Sequence, residues 1–202
     1  MNSQLLYFAY GSNLNESDLQ AWCRDRGRPY PLLEDFANAY LPDMQLVFNY
    51  KSESRGGGAL NIRHQLGHVT QGTLFRVSVE GIAVLDEREN SPRVYKHLDV
   101  NALTDDGAVH DAITYQVHTT MIEGSFVRPS PEYLAVLREG FADRGLNPCM
   151  LEAVAENAEP PICINKLFVY GTLMEGGPRH HILGSWGGYD DMIRGKARGT
   201  LY

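Results

Sequence analysis

Two patches of this sequence carry residue types suited to chemistry. Leu85-Asp86-Glu87-Arg88-Glu89 closes a stretch with helical spacing at Ile82, Leu85 and Asp86, which puts Glu89 at or near a helix C-terminus. A carboxylate there meets the negative end of the helix dipole, so charge is disfavoured. If it also faces a cleft, its pKa rises and it can act as a general acid/base near neutrality. Asp86 and Glu89 lie three apart and share a face, whereas Glu87 points elsewhere. The second patch is Phe8-Ala9-Tyr10-Gly11-Ser12-Asn13, an apolar run stopping at a tight loop whose backbone N–H groups can bind a carbonyl oxygen or a carboxylate.

Each patch alone also has a plain structural reading. The loop can be a strand-to-helix turn, with Gly11 at positive φ and an Asn capping the helix. The acidic run can be a solvated helix end.

The elements that must position these residues are readable. Leu5 to Tyr10 is a buried strand by aromatic and aliphatic density. Leu14, Leu19, Trp22 and Cys23 share one face of a short helix capped by Asn15 or Ser17. Met44–Tyr50, Ala59–Arg63, Val69–Val77, Tyr95–Val100 and Ala112–Met121 read as strands. Arg55-Gly56-Gly57-Gly58 is a loop or a place where another backbone comes close. Ser130-Pro131-Glu132-Tyr133 opens a helix with cap, first-turn proline and first-turn acid, and a second helix starts at Asn147-Pro148. Strands dominate early and helices come late. The fold class is therefore α+β, a mixed sheet curled toward a barrel with peripheral helices.

Taken together, these segments resemble the γ-glutamyl cyclotransferase family. The resemblance rests on Tyr7-Phe8-Ala9-Tyr10-Gly11-Ser12-Asn13-Leu14, on Leu85-Asp86-Glu87-Arg88-Glu89 and on Arg128-Pro129-Ser130-Pro131-Glu132-Tyr133, in that order, over roughly residues 4–156. It implies a cofactor-independent enzyme that converts a γ-glutamyl amino acid or amine to 5-oxoproline and the free amino acid or amine. Glu89 is implied as the catalytic acid/base. The loop Tyr7, Phe8, Ala9, Tyr10, Gly11, Ser12 and Asn13 is implied to hold the γ-glutamyl group, with Tyr115 and Tyr133 as further substrate contacts. The segment from Glu89 to Tyr95 is one residue shorter than in such relatives, which bears on one pocket wall. The alternative is a non-catalytic small-molecule-binding or interaction module of the same fold.

The loop motif has an echo at Phe168-Val169-Tyr170-Gly171-Thr172-Leu173. Residues 166–202 resemble the start of a second domain from the branch that includes γ-glutamylamine cyclotransferases. The expected organisation is a domain at 1–158, a linker at 159–165 and an incomplete second domain at 166–202. A piece of 37 residues cannot bury a core of its own. It is expected to dock, to stay poorly ordered, or to form a homodimer through its strand-like end, Arg194 to Tyr202.

Bulk properties exclude other classes. A formal charge of −7 with few basic clusters argues against nucleic acid as the main partner, and no apolar run is long enough for a membrane span. His64 with His68, and His180 with His181, lack a metal-site pattern, so no metal is expected. Cys23, Cys149 and Cys163 form no CxxC pair and read as inert thiols. With no signal peptide evident, a cytoplasmic location is expected.

Overall fold

A computed structural model describes residues 4–160 and 169–185. The chain divides into two units, Met1–Cys163 and Ile164–Tyr202. In the first, five strands close into a barrel: β1 (Gln4–Ala9), β2 (Glu34–Ser52), β3 (Gly57–Ser78), β4 (Tyr95–Thr104) and β5 (Val109–Val117). Their order around the barrel is β1-β3-β2-β4-β5. All neighbours are antiparallel except β1 and β5, whose parallel seam is bridged at Tyr7 and Ile113. Beside it, the Thr114 hydroxyl donates to the Phe8 carbonyl at 2.7 Å, tightening the closure. Phe8, Phe48, Phe75, Leu46, Ile62 and Leu74 are among the fully buried core side chains.

The segments expected at Ala59–Arg63 and Val69–Val77 are one strand, β3. It reads as two because Pro42 pairs with Val69 but Met44 with His64, so Asp43 alone faces the four residues Gln65 to His68. Asp43 adopts φ 57° and its carboxylate accepts from the Gly67 N–H at 2.9 Å. The polar, exposed bulge hides the strand's continuity. The strand expected over Ala112–Met121 ends at Val117 and passes into a single 3-10 turn, Thr119–Met121.

Helices cover the barrel ends. α1 (Glu16–Asp25) is capped by Asn15, whose side chain accepts from the Asp18 N–H. α2 (Val79–Glu89) starts at the Ser78 cap and stops at Asn90, which takes the left-handed conformation (φ 52°) and donates its N–H to the Asp86 and Glu87 carbonyls. α3 (Pro131–Asp143) has Ser130 as its cap, as the sequence indicates, and buries Tyr133, Leu137 and Phe141. Full burial of one such Leu is worth about 1.5–3 kcal/mol. α3 lies against the turn after β1: a Cβ on Gly140 would fall 2.8 Å from the Asn15 nitrogen, so only glycine permits this approach. α4 (Cys149–Ala155) follows, with Pro148 at its N-cap position, beside the expected Asn147-Pro148 start. Cys149 is disulfide-bonded, which corrects the expectation of three inert thiols; Cys23 is a buried free thiol.

In the second unit, a 3-10 turn at Gly171–Leu173 precedes a short helix α5 (His181–Ser185). The strand expected over Arg194–Tyr202, residues 161–165 of the expected linker, and Phe168 of the echo lie outside the described residues. No helix among the described residues is long and apolar enough to cross a membrane.

Candidate active site

β1 ends where Tyr7 and Tyr10 are buried, and a 3-10 turn follows at Ser12–Leu14. Gly11 is not in the left-handed region; its φ is −126°, whereas the echo's Gly171 sits at 61°. Asn13 does not cap α1, which Asn15 does. Instead its amide nitrogen donates to the Tyr7 hydroxyl and to Glu89 Oε1, each at 2.8 Å. The motif does form a strand-to-helix turn, but without the positive φ at Gly11 and without Asn13 as the helix cap.

Glu89 is the last residue of α2. Burial raises its carboxyl pKa above the ordinary 4.5, and Asp18 adds to that. Arg88, the Asn13 hydrogen bond and Arg55 oppose the rise without overcoming it. The group thus keeps its proton to higher pH than an ordinary glutamate. Asp86, on the same face, accepts from the Tyr115 hydroxyl at 2.8 Å and pairs with His97 Nε2 at 2.6 Å. Glu87 turns outward to Arg28.

Glu89 borders a cleft of about 170 Å³ walled by Tyr7, Tyr10, Tyr50, Tyr95, Tyr115 and Tyr133. The Tyr10 hydroxyl donates to the Tyr115 carbonyl at 2.7 Å, and Tyr95 donates to the Leu60 carbonyl at 3.0 Å. Tyr133 accepts from the Leu60 N–H at 3.5 Å. The Tyr7 and Tyr115 rings meet edge to face, 5.7 Å apart. Burial pushes the pKa of Tyr7, Tyr10, Tyr95, Tyr115 and Tyr133 upward, so these phenols stay protonated. A larger groove, about 410 Å³, runs along Leu5, Leu6, Val100 and Ile113 but contains no tyrosine and no arginine.

One wall is ionic. Asp18 of α1 takes Arg55 Nη1 and Nη2 at 3.1 and 3.0 Å and Arg88 Nη2 at 2.5 Å. Burial alone would raise Asp18, but the two guanidinium groups outweigh it and hold its carboxyl below 3.8. Arg88 is nearly sealed, with 3% of its side chain exposed, while Arg55 keeps 25%. Arg55 also donates to Ser12 Oγ at 3.2 Å and stacks over the Tyr133 ring, 5.0 Å from its centre.

The hairpin tip that bears Arg55 is held by main chain. Gly58 N–H donates to the Arg128 carbonyl at 2.8 Å, and a Cβ on Gly58 would fall 1.9 Å from the Val127 carbonyl oxygen. Ser130 Oγ donates to the Arg55 carbonyl at 2.7 Å. The sequence reading of Arg55–Gly58 as a close backbone approach describes this contact.

Of the residues singled out in the sequence, Tyr7, Tyr10, Gly11, Ser12, Asn13, Glu89, Tyr115 and Tyr133 line one cleft. Phe8 and Ala9 are fully buried and do not line it. The sequence reading overlooked Tyr50, Tyr95, Arg55, Arg88 and Asp18. Arg88 sits inside the acidic motif, and Asp18 is a first-turn acid of α1; nothing in local spacing joins positions 70 residues apart.

The family model for γ-glutamyl cyclotransferase, AIG2-like proteins matches residues 7–135. The chain belongs to this family. A solved γ-glutamyl cyclotransferase has a TM-score of 0.62 with it at 25% identity, covering 82% of this chain and 94% of that one. The uncharacterized protein loc79017 from Homo sapiens gives 0.61 at 26% identity, over 82% and 94% of the two chains. YkqA from Bacillus subtilis shares the fold at a TM-score of 0.63 and 23% identity, over 77% of this chain and 54% of its own. No curated protein matched. Family and fold support γ-glutamyl cyclotransferase-type activity in general terms, and the mixed barrel with its helices is the cyclotransferase fold.

Proposed function

We propose that the protein converts a small γ-glutamyl compound to 5-oxoproline and a free amine or amino acid, with Glu89 as general acid/base. The observation that carries this reading is the desolvated Glu89 carboxyl, hydrogen-bonded to Asn13 of the strand-end loop in a cleft that would hold a γ-glutamyl chain.

The substrate's own α-amino group attacks its γ-carbonyl, closing a five-membered ring. Since nucleophile and electrophile share one molecule, the protein chiefly has to hold the folded conformer, and orientation supplies several kcal/mol. Two protons leave the α-ammonium nitrogen and two arrive on the departing nitrogen. Glu89 relays them, accepting as the C–N bond forms and donating as the old amide bond breaks. The N–H groups of Gly11 and Ser12, which line the cleft, would stabilise the tetrahedral oxyanion, an interaction whose loss elsewhere costs about 10²–10³ in rate. Tyr7 and Tyr133, neutral and acting as acceptors in their bonds to Asn13 and the Leu60 N–H, would offer their O–H donors to the substrate without adding charge.

The test is release of 5-oxoproline across γ-glutamyl amino acids and γ-glutamylamines, using the natural chain and Glu89→Gln. Release by the natural protein, abolished in a folded Glu89→Gln variant, supports the reading. Near-normal turnover in that variant overturns the role of Glu89. No release from any compound turns the reading toward a binding module.

A further inference from the structure

Arg55 is the cation at the mouth of the cleft, beside exposed Ser54 and Asn90. A guanidinium carries five N–H groups in a planar fork. The Arg55 bonds to Asp18 and Ser12 use three of them. Its main chain is fixed by Ser130, and its planar face rests on Tyr133. It is an immobilised fork with donors to spare, a preorganised receptor for a carboxylate.

Charge balance favours an anion there. Arg55 and Arg88 bring two positive charges to this wall; Asp18 cancels one and ionised Glu89 the other. When Glu89 takes a proton from the substrate, the wall is left with one net positive charge, which carboxylates of the bound ligand can offset. Arg88 is sealed in, so the charge that a ligand can reach is that of Arg55.

Its position bears on which part of the ligand it meets. Arg55 bonds Ser12, in the loop that would hold the scissile carbonyl, and is the more exposed of the two arginines lining the cleft, which suits it to a group beyond that carbonyl, on the departing amine. We propose that Arg55 selects γ-glutamyl compounds whose departing amine bears a carboxylate, that is, γ-glutamyl amino acids over γ-glutamylamines. This rests on the cyclotransferase reading and adds the leaving-group class to it.

The test compares γ-glutamyl-alanine with γ-glutamylethylamine, which lacks only the carboxylate. In the natural protein the ratio of kcat/KM values is expected to favour γ-glutamyl-alanine by about 10- to 100-fold, the range of a charge-assisted hydrogen-bonded pair. Arg55→Ala collapses the ratio to about 1, chiefly through a raised KM for γ-glutamyl-alanine, while Arg55→Lys restores part of it by keeping the charge. Asp18 keeps Arg88 as a partner in both variants, which limits the structural cost of the change. No preference in the natural protein, or equal loss on both substrates in Arg55→Ala, overturns the proposal; equal loss would mean that Arg55 serves the shared γ-glutamyl part. Calorimetric binding of both compounds to Glu89→Gln, with and without Arg55→Ala, repeats the comparison without turnover. A binding preference that depends on Arg55 supports the assignment even if 5-oxoproline is never released, and its absence overturns it.

Discussion

Asn13 holds Glu89: one amide nitrogen donates to Glu89 Oε1 and to the Tyr7 hydroxyl, both at 2.8 Å. This bond ties the end of β1 to the end of α2, 76 positions apart in the chain. Asn13→Ala removes the orientation of the carboxylate while leaving the acid in place. The expected result is a kcat lower by about 10- to 100-fold with a smaller change in KM, since misplacing a reacting group by about 1 Å can cost 10²-fold. Steady-state kinetics on a γ-glutamyl amino acid checks it; an unchanged kcat counts against a positioning role.

Arg88 sets the pH range. It is the strongest influence opposing the burial-driven rise of the Glu89 pKa. As a base Glu89 must be ionised, so kcat/KM should rise with pH through a midpoint above 4.5. In Arg88→Gln that acid limb should move to higher pH, because the carboxylate loses the largest influence that stabilises its charge. A limb that stays put, or moves down, would show that another group governs it.

Glu89 should also destabilise the fold that it serves. In the unfolded chain it titrates near 4.5, and in the folded protein higher. Between those two values the folded state binds more protons, so stability falls as pH rises through the window, and the penalty persists above it. Glu89→Gln is neutral throughout. Its melting temperature is therefore expected to exceed that of the natural protein at pH 7, with the gap closing as pH drops below 4.5. Thermal melts at several pH values check this; a variant less stable at pH 7 contradicts it.

Gly58→Ala places a methyl group into main chain, 1.9 Å from the Val127 carbonyl oxygen. No side-chain rotation relieves that contact, so the hairpin tip must shift. A loss of about 2–3 kcal/mol is expected, the upper range for overpacking, together with weaker activity as Arg55 moves. Denaturant unfolding measures the first and kinetics the second.

Local rules made much of this legible. Ser130-Pro131-Glu132 announces α3 because cap, first-turn proline and first-turn acid act within four residues. Glu89 at a helix end follows from spacing and from the break that Asn90 imposes. Other features depend on pairs remote in sequence. Asn13 reads as a cap because its partner lies across the fold, and Asp18 reads as a first-turn acid because Arg55 and Arg88 come from two other elements. The Asp43 bulge breaks the alternation of β3 with exposed polar residues, so one long strand looks like two. The disulfide at Cys149 has no local signature at all.

The tethers on the hairpin tip, Gly58 N–H to the Arg128 carbonyl and Ser130 Oγ to the Arg55 carbonyl, use only the main chain on the tip's side. They do not depend on which side chain stands at position 55. The anchoring of the tip can therefore outlast a change of side chain there, even though Arg55 itself also acts on Glu89. The main-chain anchoring of the tip thus leaves position 55 open to variation on a fixed support.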